Sequence, residues 1–164
     1  MTAKEYTQSA PLWADDAMRF AMRVCGSRAD SEDAVQESLL SLWRHRGEVA
    51  EESGRGYLLG ATYRQLMMLF RRRATQREHA DELRADGVQH ADVSFDLRDA
   101  ISRSLRSLSP QQRAVLQLRD VDGYSYREIG KTLDISVDQV QVYLFRARVA
   151  MRKQLKSMGY GTDQ

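Results

Sequence analysis

The sequence has one cysteine, two prolines and few aromatic residues, 8% in all. A lone Cys25 excludes an intramolecular disulfide framework and reads as a small apolar residue on a helix face. The three histidines, His45, His79 and His90, lie far apart and no Cys/His cluster accompanies them. The spacing of a zinc site is therefore missing, and no metal or cofactor is expected. No apolar run approaches the ~20 residues that a bilayer span requires. Lys4 and Glu5 stand where a signal peptide would carry its apolar stretch, so a cytoplasmic chain is expected. Catalytic equipment is missing as well: there is no nucleophile–base set and no phosphate-cradling glycine loop. The stretch "GRGYLLG" has the wrong spacing for a dinucleotide fingerprint and follows no strand pattern. Neither an enzyme nor a small-molecule substrate is expected. Val/Ile/Thr alternation of period two is also missing, whereas Ala, Leu, Arg, Glu and Gln abound, which predicts an all-α fold.

What is present is a chain of 164 residues, 42% hydrophobic and 29% charged, enough for one ordinary domain or two small ones. The net charge of +2 is unevenly spread. Residues 1–74 carry 11 Lys/Arg and 10 Asp/Glu, residues 75–95 carry 2 and 5, and residues 96–164 carry 12 and 8. The middle stretch, "TQREHADELRADGVQHADVSF", is acidic, polar and weakly periodic, and reads as a flexible linker between a first domain, 1–74, and a second, 96–164. Basic residues gather at Arg71, Arg72 and Arg73 and again from Arg146 to Lys156, where five basic residues meet no acidic one. Such clusters are candidate phosphate contacts, though a solvated helix end gives the same pattern.

In the first domain Trp13, Ala17, Phe20, Ala21 and Val24 fall on one helical face within residues 10–25. After the break at Gly26, Asp30 suits an N-cap and Ala34, Val35, Leu39, Leu42 and Trp43 form the inner face of a second helix ending near His45. Its other face shows Asp33, Gln36, Glu37 and Leu40. The glycine-bearing stretch 47–56 reads as a loop and residues 57–73 as a third helix, closing a small bundle. In the second domain Leu97, Ala100, Ile101 and Leu105 share a helical face. Three capping boxes then follow in series: Ser109 with Gln112, Ser125 with Glu128 and Ser136 with Gln139. They predict helices over 110–120, 125–133 and 136–155, with Asp134 in a left-handed turn and Gly130 at a close approach. A short helix, a tight turn and a longer helix make a helix-turn-helix, whose second helix can lie in a DNA major groove.

Two blocks together resemble the extracytoplasmic-function sigma factors of the bacterial sigma-70 family. "RVCGSRADSEDAVQESLLSLWRHRG" with "GYLLGATYRQLMMLFRRR" is similar to sigma region 2, and "LRSLSPQQRAVLQLRDVDGYSYREIGKTLDISVDQVQVYLFRARVAMRKQL" to region 4. The resemblance covers most of the chain, in the family's order. It implies an alternative sigma factor that binds core RNA polymerase and confers promoter choice. By position, Asp33, Gln36, Glu37 and Leu40 are implied to bind the polymerase clamp helices. Tyr57, Tyr63, Arg64, Arg71, Arg72 and Arg73 are implied to hold the −10 element as an opened strand. Arg127, Ser136, Asp138, Gln139, Gln141, Tyr143, Arg146 and Arg148 are implied to hold the −35 element as duplex. Glutamine and arginine suit base edges and phosphates there. An anti-sigma factor, often membrane-bound, is the further partner implied, docking beside Leu39, Leu40 and Trp43 and on region 4.

The sequence departs from the family in two places. Arg64 and Met68 stand where the third helix usually carries Asn and Asp, and Gln141 and Tyr143 replace a Lys and an Arg of the recognition helix. These departures keep open a sigma mimic that titrates an anti-sigma factor; the other alternative is a LuxR-like regulator that uses the helix-turn-helix without polymerase.

Overall fold

The computed structural model describes residues 1–79 and 96–161, and for Glu78 and His79 the backbone alone. Among the described residues the fold is all-α. Helices α1 (Ala3–Cys25), α2 (Arg28–His45) and α3 (Glu51–His79) pack on one another to form the first half, with a 3-10 turn, Arg46–Glu48, between α2 and α3. Helices α4 (Leu97–Arg106), α5 (Pro110–Leu116), α6 (Tyr126–Leu133) and α7 (Val137–Ser157) form the second, and α5 runs on through a wide π turn, Gln117–Val121. No described helix is long and apolar enough to cross a membrane.

The second half follows its sequence closely. Ser109 Oγ accepts from Gln112 N at 3.1 Å, Ser125 Oγ from Glu128 N at 3.1 Å and Ser136 Oγ from Gln139 N at 3.1 Å. Each box is closed by the return bond from the glutamine or glutamate, so two orphan amides are satisfied at each helix start. Asp134 takes φ 57° and ψ 51°, and its N–H reaches Gly130 O. A β-carbon on Gly130 would stand 2.8 Å from Ile135 O, so only glycine lets the turn close on α6.

The first half departs from its sequence-based outline at helix starts. Helix α1 begins seven residues before Ala10, because Thr2 and Glu5 form a capping box that apolar periodicity does not reveal. Ser27, not Asp30, caps α2: Ser27 Oγ accepts from Asp30 N at 3.2 Å, and Asp30 sits in the first turn. The stretch 47–56 is not a loop throughout, since α3 starts at Glu51. Its opening glutamates complement the helix dipole. The bare α-carbon of Gly54 lies against the Trp13 ring, where a side chain would collide. Of the expected linker, 75–79 continue α3 and 80–95 lie outside the described residues.

The two halves share one core. Phe20, Leu42, Leu58, Leu59 and Leu66 of the first half and Val115, Leu118, Ile129 and Leu144 of the second are each at most 2% exposed and belong to one apolar cluster. The junction is close: a β-carbon on Gly60 would come within 2.5 Å of Thr132 O, so α3 and α6 meet backbone to backbone. Arg55 bridges the same seam, donating to Asp16 Oδ2 at 2.7 Å and to the Tyr124 hydroxyl, with its guanidinium over the Tyr124 ring. A smaller cluster of Leu105, Leu108 and Ala147 seats α4 on α7.

Candidate polymerase and nucleic-acid interfaces

Helix α2 turns Ala34, Val35, Ser38 and Leu42 inward. Its opposite side leaves Asp33, Gln36, Glu37 and Leu40 exposed, Leu40 at 47%. Spacings of three, one and three residues put all four on one stripe. Trp43, 38% exposed, extends the stripe: Arg46 stacks on its ring at 3.8 Å and Tyr6 meets it edge-on at 5.1 Å. A polar, mostly acidic stripe with two exposed apolar residues, Trp43 braced by Arg46 and Tyr6, is a surface a protein partner can bind.

The residues expected on α3 divide. Tyr57 is half-buried, its hydroxyl 2.9 Å from Ser41 Oγ and 3.4 Å from His45 Nδ1. It lines a cleft of about 750 Å³ between α3 and α6, together with exposed Arg64 and Lys131. Arg71 and Arg72 are exposed, with no ion pair among the described residues. Arg73 is engaged: it holds Asp30 through two bonds of 2.7 and 2.8 Å. That contact keeps the Asp30 carboxyl below the usual carboxylate range. Tyr63 is 8% exposed, and burial, then the neighbouring Tyr143, push its phenol up to about 12. In this arrangement its ring packs in the core and offers no face for a base to stack on.

On α7, Val140, Leu144 and Ala147 face inward. Ser136, Asp138, Gln139, Gln141 and Arg146 are exposed, as is Arg127 on α6. The side chains of Ser136 and Gln139 hold each other's backbone, which leaves the Gln139 amide nitrogen for an outside acceptor. Tyr143 is half-buried against the shared core on the side toward Tyr63, not on the outer face. Arg148 is held by Asp120 at 3.2 and 2.6 Å. Three apolar residues lie on the outer face instead: Val142, which the sequence places on the recognition helix, and Phe145 and Val149, which sequence reading did not single out, 44%, 70% and 43% exposed. Their spacing of three and four residues was the available signal.

Comparison with known proteins bears on both halves. The family profile described as Sigma-70 region 2 matches residues 12–77, and that described as Sigma-70, region 4 matches residues 98–151. The chain belongs to the extracytoplasmic-function group of the sigma-70 family. Among its sigma-factor relatives, SigE of Mycolicibacterium smegmatis is 30% identical over 92% of this chain and 62% of its own. The chain thus spans less than two thirds of that relative's length. SigL of Mycobacterium tuberculosis is 29% identical over 92% of this chain and 86% of its own. The fold is shared with the sigma factor RpoE of Bartonella quintana, solved in complex with the anti-sigma factor NepR: TM-score 0.77, 22% identity, over 94% of this chain and 98% of that one. It is also shared with the anti-anti-sigma factor PhyR of the same organism, at TM-score 0.54 and 17% identity, over 93% of this chain and 50% of that one. The region 2 match falls on the first half, which the LuxR-like alternative would have made a sensor domain. In this chain the α2 stripe lies within the region 2 match and the α6–α7 pair within the region 4 match.

Proposed function

We propose that this chain is an alternative sigma factor that binds core RNA polymerase and directs promoter-specific transcription initiation. The observation that carries the reading is the pairing, in one chain, of the exposed α2 stripe with a capped helix-turn-helix. Asp33, Gln36, Glu37 and Leu40 bind the clamp helices of the polymerase. Tyr57, Arg64, Arg71 and Arg72 hold the −10 strand, the cleft beside Tyr57 and Arg64 being large enough for an unstacked base. Asp138, Gln139, Gln141 and Arg146 meet the −35 duplex, and Arg127 its phosphates. Arg73, Arg148 and Tyr143 reach DNA only after leaving Asp30, Asp120 and the core, and Tyr63 only if the halves part.

The two promoter elements lie about 25 base pairs apart, ~85 Å at 3.4 Å per pair. Helices α3 and α7, packed into one body, cannot reach both. The docked arrangement is therefore that of the free chain, and promoter engagement separates the halves at the Gly60–Thr132 seam. An anti-sigma factor, whether soluble or held in the inner membrane, is the second partner: its docking surface is the apolar part of the α2 stripe, Leu40 and Trp43, and region 4. The Bartonella RpoE complex supports this by fold alone.

Run-off transcription with purified bacterial core polymerase on a library of genomic fragments tests the reading. Transcripts from discrete starts that need this protein, and that vanish with Gln36→Ala/Glu37→Ala, are expected. Core binding without any transcript would favour the mimic instead, the alternative that the departures at Arg64, Met68, Gln141 and Tyr143 keep in view. A pull-down that recovers polymerase but never a small inhibitory protein would contradict the anti-sigma partner.

A further inference from the structure

The outward face of the recognition helix carries an apolar stripe among its polar residues. Opposite Val140, Leu144 and Ala147, at 100° per residue, lie Asp138, Val142, Phe145 and Val149. The Phe145 ring is 70% exposed and packs on neither core cluster. Single exposed apolar side chains are ordinary. Here three share one stripe, on the helix of the motif that presents itself to DNA.

The stripe is edged by cations. From Arg146 to Lys156 the chain holds five basic residues and no acidic one, with Arg146, Arg152 and Lys153 exposed beside the apolar residues. That charge complements a polyanion. In the major groove of a duplex the base edges offer one apolar group, the C5-methyl of thymine. Val142 and Phe145 lie within the first ~12 Å of α7, the part that a helix-turn-helix sets at base edges. Val149 lies a turn further along α7.

We propose that Val142 and Phe145 determine −35 specificity by contacting thymine methyl groups, while Arg146 and Lys153 neutralise the flanking phosphates. The inference rests on the reading of this chain as a sigma factor that binds a −35 duplex. It also accounts for the departures at Gln141 and Tyr143: where two cations of the recognition helix are gone, apolar contact replaces part of the readout.

The test uses holoenzyme assembled from the full chain and bacterial core polymerase. Random duplexes placed upstream of a fixed −10 sequence are enriched, and the selected duplex is then prepared with thymine or with uracil at each position in turn. Uracil removes the methyl and leaves pairing intact. The wild-type holoenzyme is expected to bind the thymine form about threefold to tenfold more tightly at one or two −35 positions. Val142→Ala and Phe145→Ala should each abolish the preference at one of them, with unchanged circular dichroism and core affinity. Equal binding of thymine and uracil forms by the wild type would overturn the proposal. So would variants that keep the full preference, or that weaken both forms alike, which would place a protein or the sugar–phosphate chain on the stripe. Failure to enrich any duplex would defeat the sigma-factor reading itself and the inference with it. Enrichment of a methyl-blind −35 sequence would defeat the inference alone.

Discussion

Helices α2 and α7 have the same construction and opposite outer faces. Each buries a row of small and branched residues, Ala34, Val35, Ser38 and Leu42 in one, Val140, Leu144 and Ala147 in the other. Each leaves the far side to solvent. On α2 that side is acidic and amide, Asp33, Gln36 and Glu37, with Leu40 among them. On α7 it is apolar, Val142, Phe145 and Val149, with cations at its edge. The undersides follow from packing, which accepts any apolar residue of the right volume. The outer faces contribute little to packing, so their chemistry reflects what they meet. On the proposed reading that is a protein surface for α2 and a polyanion for α7.

Several substitutions would break or sharpen that contrast. The largest effect is expected on the α2 outer face. Asp33→Arg with Glu37→Arg should weaken core-polymerase affinity by more than about a thousandfold, ~4 kcal/mol, since the charge of the stripe is reversed at the interface. Thermal unfolding should move little, and a binding titration with labelled protein reads the loss. Next come two neighbours on α7. Leu144, 2% exposed, should cost about 2–5 kcal/mol on truncation to alanine, while Phe145→Ala should stay within about 0.5 kcal/mol of wild type by chemical denaturation. Equal costs would show that Phe145 is a packing residue and the outer face no separate surface.

A third substitution addresses the seam between the halves. Gly60→Val forces a side chain toward Thr132 O and should cost about 1–3 kcal/mol, with an increased radius of gyration by small-angle scattering. Ser136→Ala removes the α7 cap and should cost about 1 kcal/mol in a melting experiment. The smallest effect is one of pH. Because Arg73 holds the Asp30 carboxyl below its ordinary value, that pair stabilises the fold above the ordinary carboxylate pKa, and the contribution is lost as pH falls through the lowered value. Exposure of the pair limits it to less than about 1 kcal/mol. Melting curves of wild type and Arg73→Ala should therefore differ slightly at neutral pH and converge in acid.

Much of the second half was legible because its signals are local. A serine with its partner three residues on marks a helix start at Ser109, Ser125 and Ser136, and Asp134 and Gly130 mark the turn. The first half was less legible at its helix starts. The Ser27 cap competes in sequence with Asp30, and the start of α3 depends on Gly54 meeting Trp13, forty-one residues away in the chain. The shared core was not legible, since it rests on Gly60 against Thr132 and on Arg55 reaching Tyr124. The exposure of the α2 stripe was legible because polar residues at helical spacing opposite an apolar row define an outer face. The placement of Tyr63 and Tyr143 was not, because a tyrosine at a domain seam and a tyrosine on a DNA-facing surface look alike in sequence.

The central claim is that one chain carries two separate faces, α2 for the polymerase and α7 for the −35 duplex. A footprint of the holoenzyme on a single promoter tests it most directly. Asp33→Arg/Glu37→Arg should erase protection everywhere. Val142→Ala/Phe145→Ala should erase the upstream −35 protection and leave the −10 protection in place. Uniform weakening by both variants, or loss of the −10 protection alone from the α7 variant, would contradict it.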